Sequence, residues 1–595
     1  MRQADLEAEM REAGIHRYQK KAQRTKQGEM ESQHPVGRRL LTESVERLTL
    51  RVQDWKKDIS KYHVASRSAA YEYIAMLPAN MVAALTARSV INSISMHEKI
   101  TKAAFKVAKA LEDECRWRKM RRDAPDLWRD QKKRVKKIPS YATKRRFLNN
   151  AERLVGLEFN RWPRTAKLKV GVVLIELMKQ ATGIIDITTR TGLLGKKETW
   201  VHPTDQLMEW MKHAHNYAED LSPMYLPMVE RPNPPKDVYT SGYLTNNIPP
   251  RPLIKTRDKD HLADLDAIGI ESTRETVRIL QDVQWEIDPV LYETMVHCWE
   301  SEIEIGDLPP ANGQPIPSRP VDIDTNEEAR RKWRKAAARI HNENSADRSR
   351  RLQITKVLWI AKKFLGRPIY FPWYCDFRGR KYPRPHFLHP HSFEEGAALL
   401  RFYKGKPIGD GGDWLAIHGA SVYGEDKLPF DERVQWVNNN KDMILEVAND
   451  PKRTTWIWGK ADKPWKFLAF CLEWRGYLEN GKDHITKLPI QIDGSSNGLQ
   501  LYSLLMRDPV GAEATNVLPA ERPRDIYADV AAGTLQRLQN SDNPYAAKWL
   551  AFGVDRACCK RPTMVVPYSA TLHACITYTI DWYRDELKKK KMDNP

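Results

Sequence analysis

The sequence predicts a mainly α-helical fold with a small mixed β portion. Three observations carry this expectation. Apolar residues at Ile94, Ile100, Ala104, Val107 and Leu111 follow a three-to-four spacing, the mark of an amphipathic helix. Thr325-Asn326-Glu327-Glu328 has the form of a capping box, and it opens a long, basic, Ala-rich stretch running to Leu352. Runs with strand character are short, at Ile184-Ile185-Asp186-Ile187 and Leu488-Pro489-Ile490-Gln491-Ile492.

In chain order, residues 1 to about 60 read as charged helix interrupted near Pro35-Val36-Gly37. Between Arg116 and Arg146 there are fourteen Lys or Arg and three Asp, with Trp117, Trp128 and Tyr141 interleaved. A solvated helix face would have that charge, but the aromatic residues suit a nucleic-acid surface better. Val170 to Met178 reads as buried helix leading into the strand at Ile184–Ile187. Two Pro-rich loops follow, Glu230–Pro252 and Leu308–Pro320, and the second reads as a domain boundary. His386, His389 and His391 share a Pro-rich loop without a fourth ligand at a useful spacing, so they read as ordinary loop histidines.

A chain of 595 residues suggests about three to five domains. Its formal net charge of +20 suits a polyanionic partner if the charge is clustered. Seven cysteines without a CxxC spacing point to free thiols in a reducing compartment and away from a structural zinc site. No apolar run approaches the roughly 20 residues of a membrane span, so no membrane partner is expected. The first residues, mixed in charge and rich in acids, match neither a signal nor a transit peptide.

Two segments carry chemistry. In QIDGSSNGLQ, Asp493 follows an apolar run and is succeeded by Gly494, Ser495, Ser496, Asn497 and Gly498. Alone, such an Asp is more often a turn or cap residue. Small neighbours nevertheless leave room for a metal ion and a substrate. In RACCKRPTMVVPYS, Arg556, Lys560, Met564 and Tyr568 recur every four residues, which on one helix keeps them on one face. An Arg and a Lys one turn apart can clamp a triphosphate, and a Tyr can sit against a base or sugar.

Together with DFRGRKYP (Asp376–Pro383), GKPIGDGGDWLAIHGA (Gly405–Ala420), KFLAFCLEW (Lys466–Trp474) and Arg507–Ala531, these motifs occur in an order that resembles the single-subunit DNA-directed RNA polymerases of bacteriophages and mitochondria. The similarity runs along most of the chain. It implies a right-hand polymerase of palm, thumb and fingers with a helical N-terminal domain. The implied divisions are a promoter-binding domain at 1–290, a thumb at 291–365, the first part of the palm at 366–495 and the first part of the fingers at 496–595.

By this resemblance Asp493 and the Gly494 carbonyl would hold two Mg2+ ions. Arg556 and Lys560 would grip a ribonucleoside triphosphate, Tyr568 would sense its 2′ hydroxyl, and Tyr527 would lie near it. Asp493, Lys560 and Tyr568 would form the catalytic set, and Arg378 and Arg380 would touch template and hybrid. Related DNA polymerases carry a Glu where this chain has Gly498, and a glycine leaves space for the ribose hydroxyl. Val229, in the loop Leu226–Tyr239, is a candidate wedge for melted promoter DNA, an ordinary Pro-rich connection being the alternative. The implied partners are promoter and template DNA, nascent RNA and ribonucleoside triphosphates, in the cytoplasm of an infected bacterium.

Three departures stand out. Pro562 and Pro567 fall in the supposed fingers helix, so it is expected to kink or to end at Pro567. Ser569 replaces the usual Gly after the Tyr. No segment after Tyr568 matches the family's second metal-binding Asp motif. The chain is therefore expected to be incomplete for activity by itself. The alternatives are one subunit of a split polymerase, whose second chain supplies that Asp, and a non-catalytic DNA-binding fragment. The lysines at 589–591 suggest a slipped reading frame as one cause.

Overall fold

A computed structural model describes residues 1–94, 98–136, 138, 141–154, 156–157, 159–191, 197–239 and 242–589. Helix dominates, with small sheets between. The chain divides into two compact units, Met1–Tyr225 with Tyr243–Arg251, and Leu226–Gly242 with Pro252–Pro595.

The first unit begins with α1 (Gln3–Gln27) and α2 (Pro35–Ser60), separated by a short turn. Pro35 sits in the first turn of α2, where its missing N–H costs nothing. Helices α3 (Ala79–Ile94), α4 (Ile100–Asp123) and α5 (Arg164–Thr182) pack with α2 around a core that includes Leu48, Val82, Ile91, Val107, Leu111, Leu174 and Met178. Gly171 sets the approach of α5 to α4, because a Cβ there would lie 2.1 Å from the Ala104 carbonyl oxygen. An antiparallel sheet of β1 (Glu98–Lys99), β2 (Ile185–Thr191) and β3 (Lys197–Pro203), ordered β1-β3-β2, borders this core, with Ile185 opposite Pro203 and Glu98 opposite Val201. Helix α6 (Asp205–Asp220) follows, capped by the Thr204 hydroxyl.

In the second unit, α7 (Glu327–Phe364) is 38 residues long. A small mixed sheet joins β4 (Ile254–Lys255), parallel to β5 (Trp373–Asp376), to β6 (Lys381–Pro383), antiparallel to β5. Helices α8 (Gly412–Tyr423) and α9 (Pro464–Asn480) meet at Gly419, where a Cβ would lie 2.3 Å from the Phe470 ring. The aromatic residues Trp458, Trp465, Phe467 and Phe470 are fully buried there. Helices α10 (Asn497–Met506), α11 (Ile526–Gln539), α12 (Arg556–Val565) and α13 (Leu572–Lys589) carry the later motifs.

Several expectations change. The apolar spacing from Ile94 to Leu111 is not one helix: α3 ends at Ile94, β1 intervenes, and α4 starts at Ile100. The cap of α7 is Asn326, whose Oδ1 accepts the Glu328 and Ala329 amides, both at 3.1 Å. Leu308–Pro320 is not a boundary but lies within the second unit, fastened to α7 by Trp333 Nε1 donating to the Pro317 carbonyl (2.8 Å) and by Asn344 bonded to Gln314. The basic run turns partly inward: Arg116 pairs with Glu152, and Tyr141 Oη and Arg145 donate to the buried Asp113 at 3.0 and 2.6 Å. Trp117 packs on Tyr141, ring centroids 6.1 Å apart, so these two aromatics serve the fold. Met228 pairs with Tyr370, which makes the Leu226 segment part of a sheet-like contact, with Val229 half-buried beside it. Lys590 and Lys591 of the lysine run lie outside the described residues.

Candidate nucleotidyl-transfer site

The run Leu488–Ile492 was expected as a strand leading to Asp493. It follows the two-residue strand Ile485–Thr486 but has no partner strand among the described residues, and Ile492 is 91% exposed. An extended run without a neighbouring ladder leaves its backbone groups to water, so no strand is formed. Asp493 is exposed, and its Oδ1 accepts the Gly494 amide at 2.8 Å. The loop after it is braced by residues that sequence inspection missed. Asn516 Nδ2 donates to Ser495 Oγ at 3.0 Å and to the Arg524 carbonyl at 2.8 Å, and Gln500 Nε2 donates to the Thr515 carbonyl at 2.8 Å.

Helix α10 starts at Asn497, so Gly498 lies in its first turn and faces Tyr568. A Cβ at 498 would lie 3.1 Å from Pro567 Cβ and from Tyr568 Cζ and Oη. Tyr502 Oη donates to the Pro567 carbonyl at 3.3 Å. Gly498 and Tyr568, 70 positions apart in the chain, are thus in direct apposition.

The expected single face from Arg556 to Tyr568 is cut short. Helix α12 contains Pro562 and ends at Val565, and Tyr568 lies in the 3-10 turn Val566–Tyr568. Pro567 has no amide hydrogen to continue the ladder. Ser569 closes the turn in the left-handed region, φ 61°, with its amide bonded to the Val566 carbonyl at 3.0 Å.

Arg556 and Lys560 remain one turn apart on α12, with Lys560 exposed. Arg556 pairs with Asp525 and stacks its guanidinium on Tyr527, 5.5 Å from the ring centroid. Asp525 also caps α11 through the Tyr527 amide at 3.1 Å. Partial burial, the largest influence, would raise the Asp525 carboxyl, but the hydrogen bond and charge of Arg556 together with the Ala528 and Tyr527 amides hold the group below the usual carboxylate range. Tyr527 is buried beneath this pair. Asp555 caps α12 through the Cys558 amide at 2.9 Å. An Asp just before each helical run was the available signal for both caps. Burial pushes the Cys558 thiol up to about 12, so it packs as an inert apolar group.

Arg378 and Arg380 project from the turn between β5 and β6, both exposed. Asp376 organises that turn. Its Oδ1 accepts the Arg378 and Arg380 amides at 2.9 and 3.0 Å, and its Oδ2 accepts Arg378 Nε and Nη2 at 3.0 and 2.7 Å. Gly379 takes φ 86°, a backbone state that favours glycine.

The chain is similar to known proteins along most of its length. The sequence pattern described as DNA-directed RNA polymerase N-terminal matches residues 2–265, and that of DNA-dependent RNA polymerase matches residues 406–593. The DNA-directed RNA polymerase of Enterobacteria phage T3 is 30% identical over 96% of this chain and 69% of its own length. The chain belongs to the single-subunit, phage-type DNA-directed RNA polymerases. T7 RNA polymerase of Escherichia phage T7 is 29% identical over the same shares, and a mitochondrial DNA-directed RNA polymerase of Neurospora crassa is 29% identical over 70% of this chain and 31% of its own. This RNA polymerase chain is accordingly a nucleotidyltransferase whose partners are a DNA template, RNA and nucleoside triphosphates. No described helix of the polymerase chain is long and apolar enough to cross a membrane.

Proposed function

We propose that the second unit joins ribonucleoside triphosphates on a DNA template at a site built from Asp493, Gly494, Arg556, Lys560 and Tyr568. The apposition of Gly498 and Tyr568 carries this reading. A glycine beside a phenol leaves no side chain over the place where a ribose 2′ hydroxyl would meet the Tyr568 hydroxyl. Any larger residue at 498 would crowd that ring.

Asp493 and the Gly494 carbonyl are hard oxygen donors of the kind Mg2+ takes. Bound there, Mg2+ would activate the attacking 3′ hydroxyl and steady the leaving pyrophosphate. Arg556 and Lys560 supply charge for the triphosphate, with Arg556 held ready by Asp525. Tyr527 backs the Arg556 guanidinium. Arg378 and Arg380, on the Asp376 turn, are offered to the template–RNA hybrid. The first unit, Met1–Tyr225 with Tyr243–Arg251, is assigned to promoter DNA, and α7 to the hybrid.

Among the described residues Asp493 belongs to no group of three or more potential metal ligands. Two ions need more carboxylate than one Asp supplies. The further carboxylate is assigned to polypeptide outside the described residues, such as a second chain. The setting proposed is the cytoplasm of an infected bacterium.

Extension of an RNA primer on a DNA template, by the chain co-expressed with a polypeptide that supplies the further carboxylate, tests the site. Asp493→Asn is expected to abolish extension, and near-normal extension would overturn the assignment. Tyr568→Phe is expected to keep extension but relax the choice of rNTP over dNTP. Unchanged selectivity would remove Tyr568 from the role.

A further inference from the structure

We propose that Glu31, His34 and His215 form a binding site for one divalent transition-metal ion of the zinc class. The site lies within the first unit and takes no part in nucleotidyl transfer. Among the described residues these three are the one group of three or more His, Cys, Asp or Glu side chains whose ligand atoms all lie within 4.8 Å of one another. His215 Nε2 stands 3.7 Å from Glu31 Oε1. Donors on a tetrahedral zinc ion, with bonds of about 2.0–2.2 Å, lie roughly 3.3–3.6 Å apart. The Glu31–His215 pair stands within a few tenths of an ångström of that spacing, and His34 offers a ligand atom within 4.8 Å of both.

The second observation concerns unpaired atoms. Glu31 and His34 are 4% and 2% exposed. Glu31 Oε1 and both ring nitrogens of His34 are buried without a hydrogen-bond partner. Buried polar atoms are nearly always satisfied, so three in one place ask for a ligand. Ring packing alone does not answer them. His34 lies 5.1 Å from the Tyr18 ring and 5.2 Å from His215, centroid to centroid, and these contacts use the rings without using their nitrogens.

The surrounding residues are arranged as a metal site needs. Tyr18 Oη is 2.9 Å from His215 Nδ1. With Nδ1–H donated to that oxygen, the Nε2 lone pair is left facing Glu31, the usual way a protein orients a ligating imidazole. Gly37 makes the junction possible, since a Cβ there would lie 2.0 Å from the Glu31 carbonyl oxygen. The turn Glu31–Gln33 can then fold back on the start of α2 and bring Glu31 beside His34. A cavity of about 440 Å³, bordered by Tyr18, Lys26, Met211, His215 and Glu219, gives an entry path and room for water as a fourth ligand. Two imidazoles and one carboxylate suit zinc, cobalt or nickel rather than magnesium or calcium. The ion would tie the link between α1 and α2 to α6.

The test uses the full chain, stripped with chelator and titrated with ZnCl2 by calorimetry, with metal content measured after purification. One ion per chain is expected, with Co2+ in its place giving the visible absorption of a tetrahedral site. His34→Gln and His215→Gln are each expected to weaken binding by about 100-fold or more, and Tyr18→Phe by about 10–100-fold with stoichiometry kept. Glu31→Gln, similar in shape, provides a third variant should either histidine change disturb the far-ultraviolet dichroism. Absence of stoichiometric binding, or equal affinity in a folded ligand variant, would overturn the proposal.

Discussion

Helices α2 to α5 close over a continuous apolar core from Leu40 to Met178, whereas among the described residues α11 to α13 share a small buried cluster of Ala531, Val554, Cys558 and Cys559, flanked by half-buried Leu535, Leu538, Trp549 and Trp582. In the first group Leu40, Leu48, Val52, Val107, Leu111 and Leu174 face inward. On α10 and at the start of α13, Leu501, Leu504, Leu505, Met506 and Leu572 are exposed. The first helices, 16 to 26 residues long, are mostly longer than the second, 10 to 18, and the two groups also differ in what they pack against. A segment with few buried apolar contacts opens at lower free energy than one inside a dense core. The residues proposed for nucleotide binding sit on the weakly packed group, where their apolar neighbours are available to other polypeptide or to substrate.

The comparison would break if both regions responded alike to truncation. Leu174→Ala, in the first core, is expected to cost about 2–5 kcal/mol. Leu505→Ala, 80% exposed on α10, is expected to change stability by no more than about 0.5 kcal/mol. Urea titration of the full chain, with the transitions of the two units resolved, measures both. Equal costs would mean that α10 is covered in solution.

A smaller effect sharpens the picture for the well-packed part of the second unit. Burial, with Lys466 and Lys463 nearby, pushes His418 down to about 4. Between pH 6.5 and 4 the unfolded imidazole binds a proton that the folded one does not. Stability therefore falls as pH drops through that window, by on the order of 3 kcal/mol in total. Glu394 works in the opposite direction. Burial raises it to about 7, so the folded carboxyl keeps a proton that the unfolded one loses, and stability falls as pH rises from about 4.5 to 7. The two trends offset one another between about pH 4.5 and 6.5. Glu394→Gln is expected to leave a stability that rises with pH there, and His418→Gln one that falls, measured as urea midpoints across pH. Parallel slopes in the two variants would refute the assignment.

A further small effect is expected at the end of α12. Ser569 holds φ 61°, a conformation that disfavours a side chain. Ser569→Gly is expected to stabilise the Tyr568 turn by about 0.5–1 kcal/mol, read as slower amide exchange at Ser569 and Ala570 relative to the parent chain. No change there would mean that the serine side chain compensates for its own strain.

The helical character, the capped start of α7, the strand at Ile185 and the small-residue loop after Asp493 were legible in local spacing, because period, caps and turn residues act over a few positions. Local reading failed where a partner decides. Leu488–Ile492 has strand composition but no ladder, Tyr141 left a supposed nucleic-acid face to bond Asp113, and Arg556 found Asp525, 31 residues away. Pro567 foretold the end of α12, yet nothing local showed that the turn it creates would lay Tyr568 against Gly498. Nor did the scattered Glu31, His34 and His215 resemble a ligand set until α6 met the link between α1 and α2. The sequence by itself determined which segments coil and where they stop, since those free energies are local. The tertiary structure alone decided which side chains meet, since that depends on packing between segments far apart in the chain.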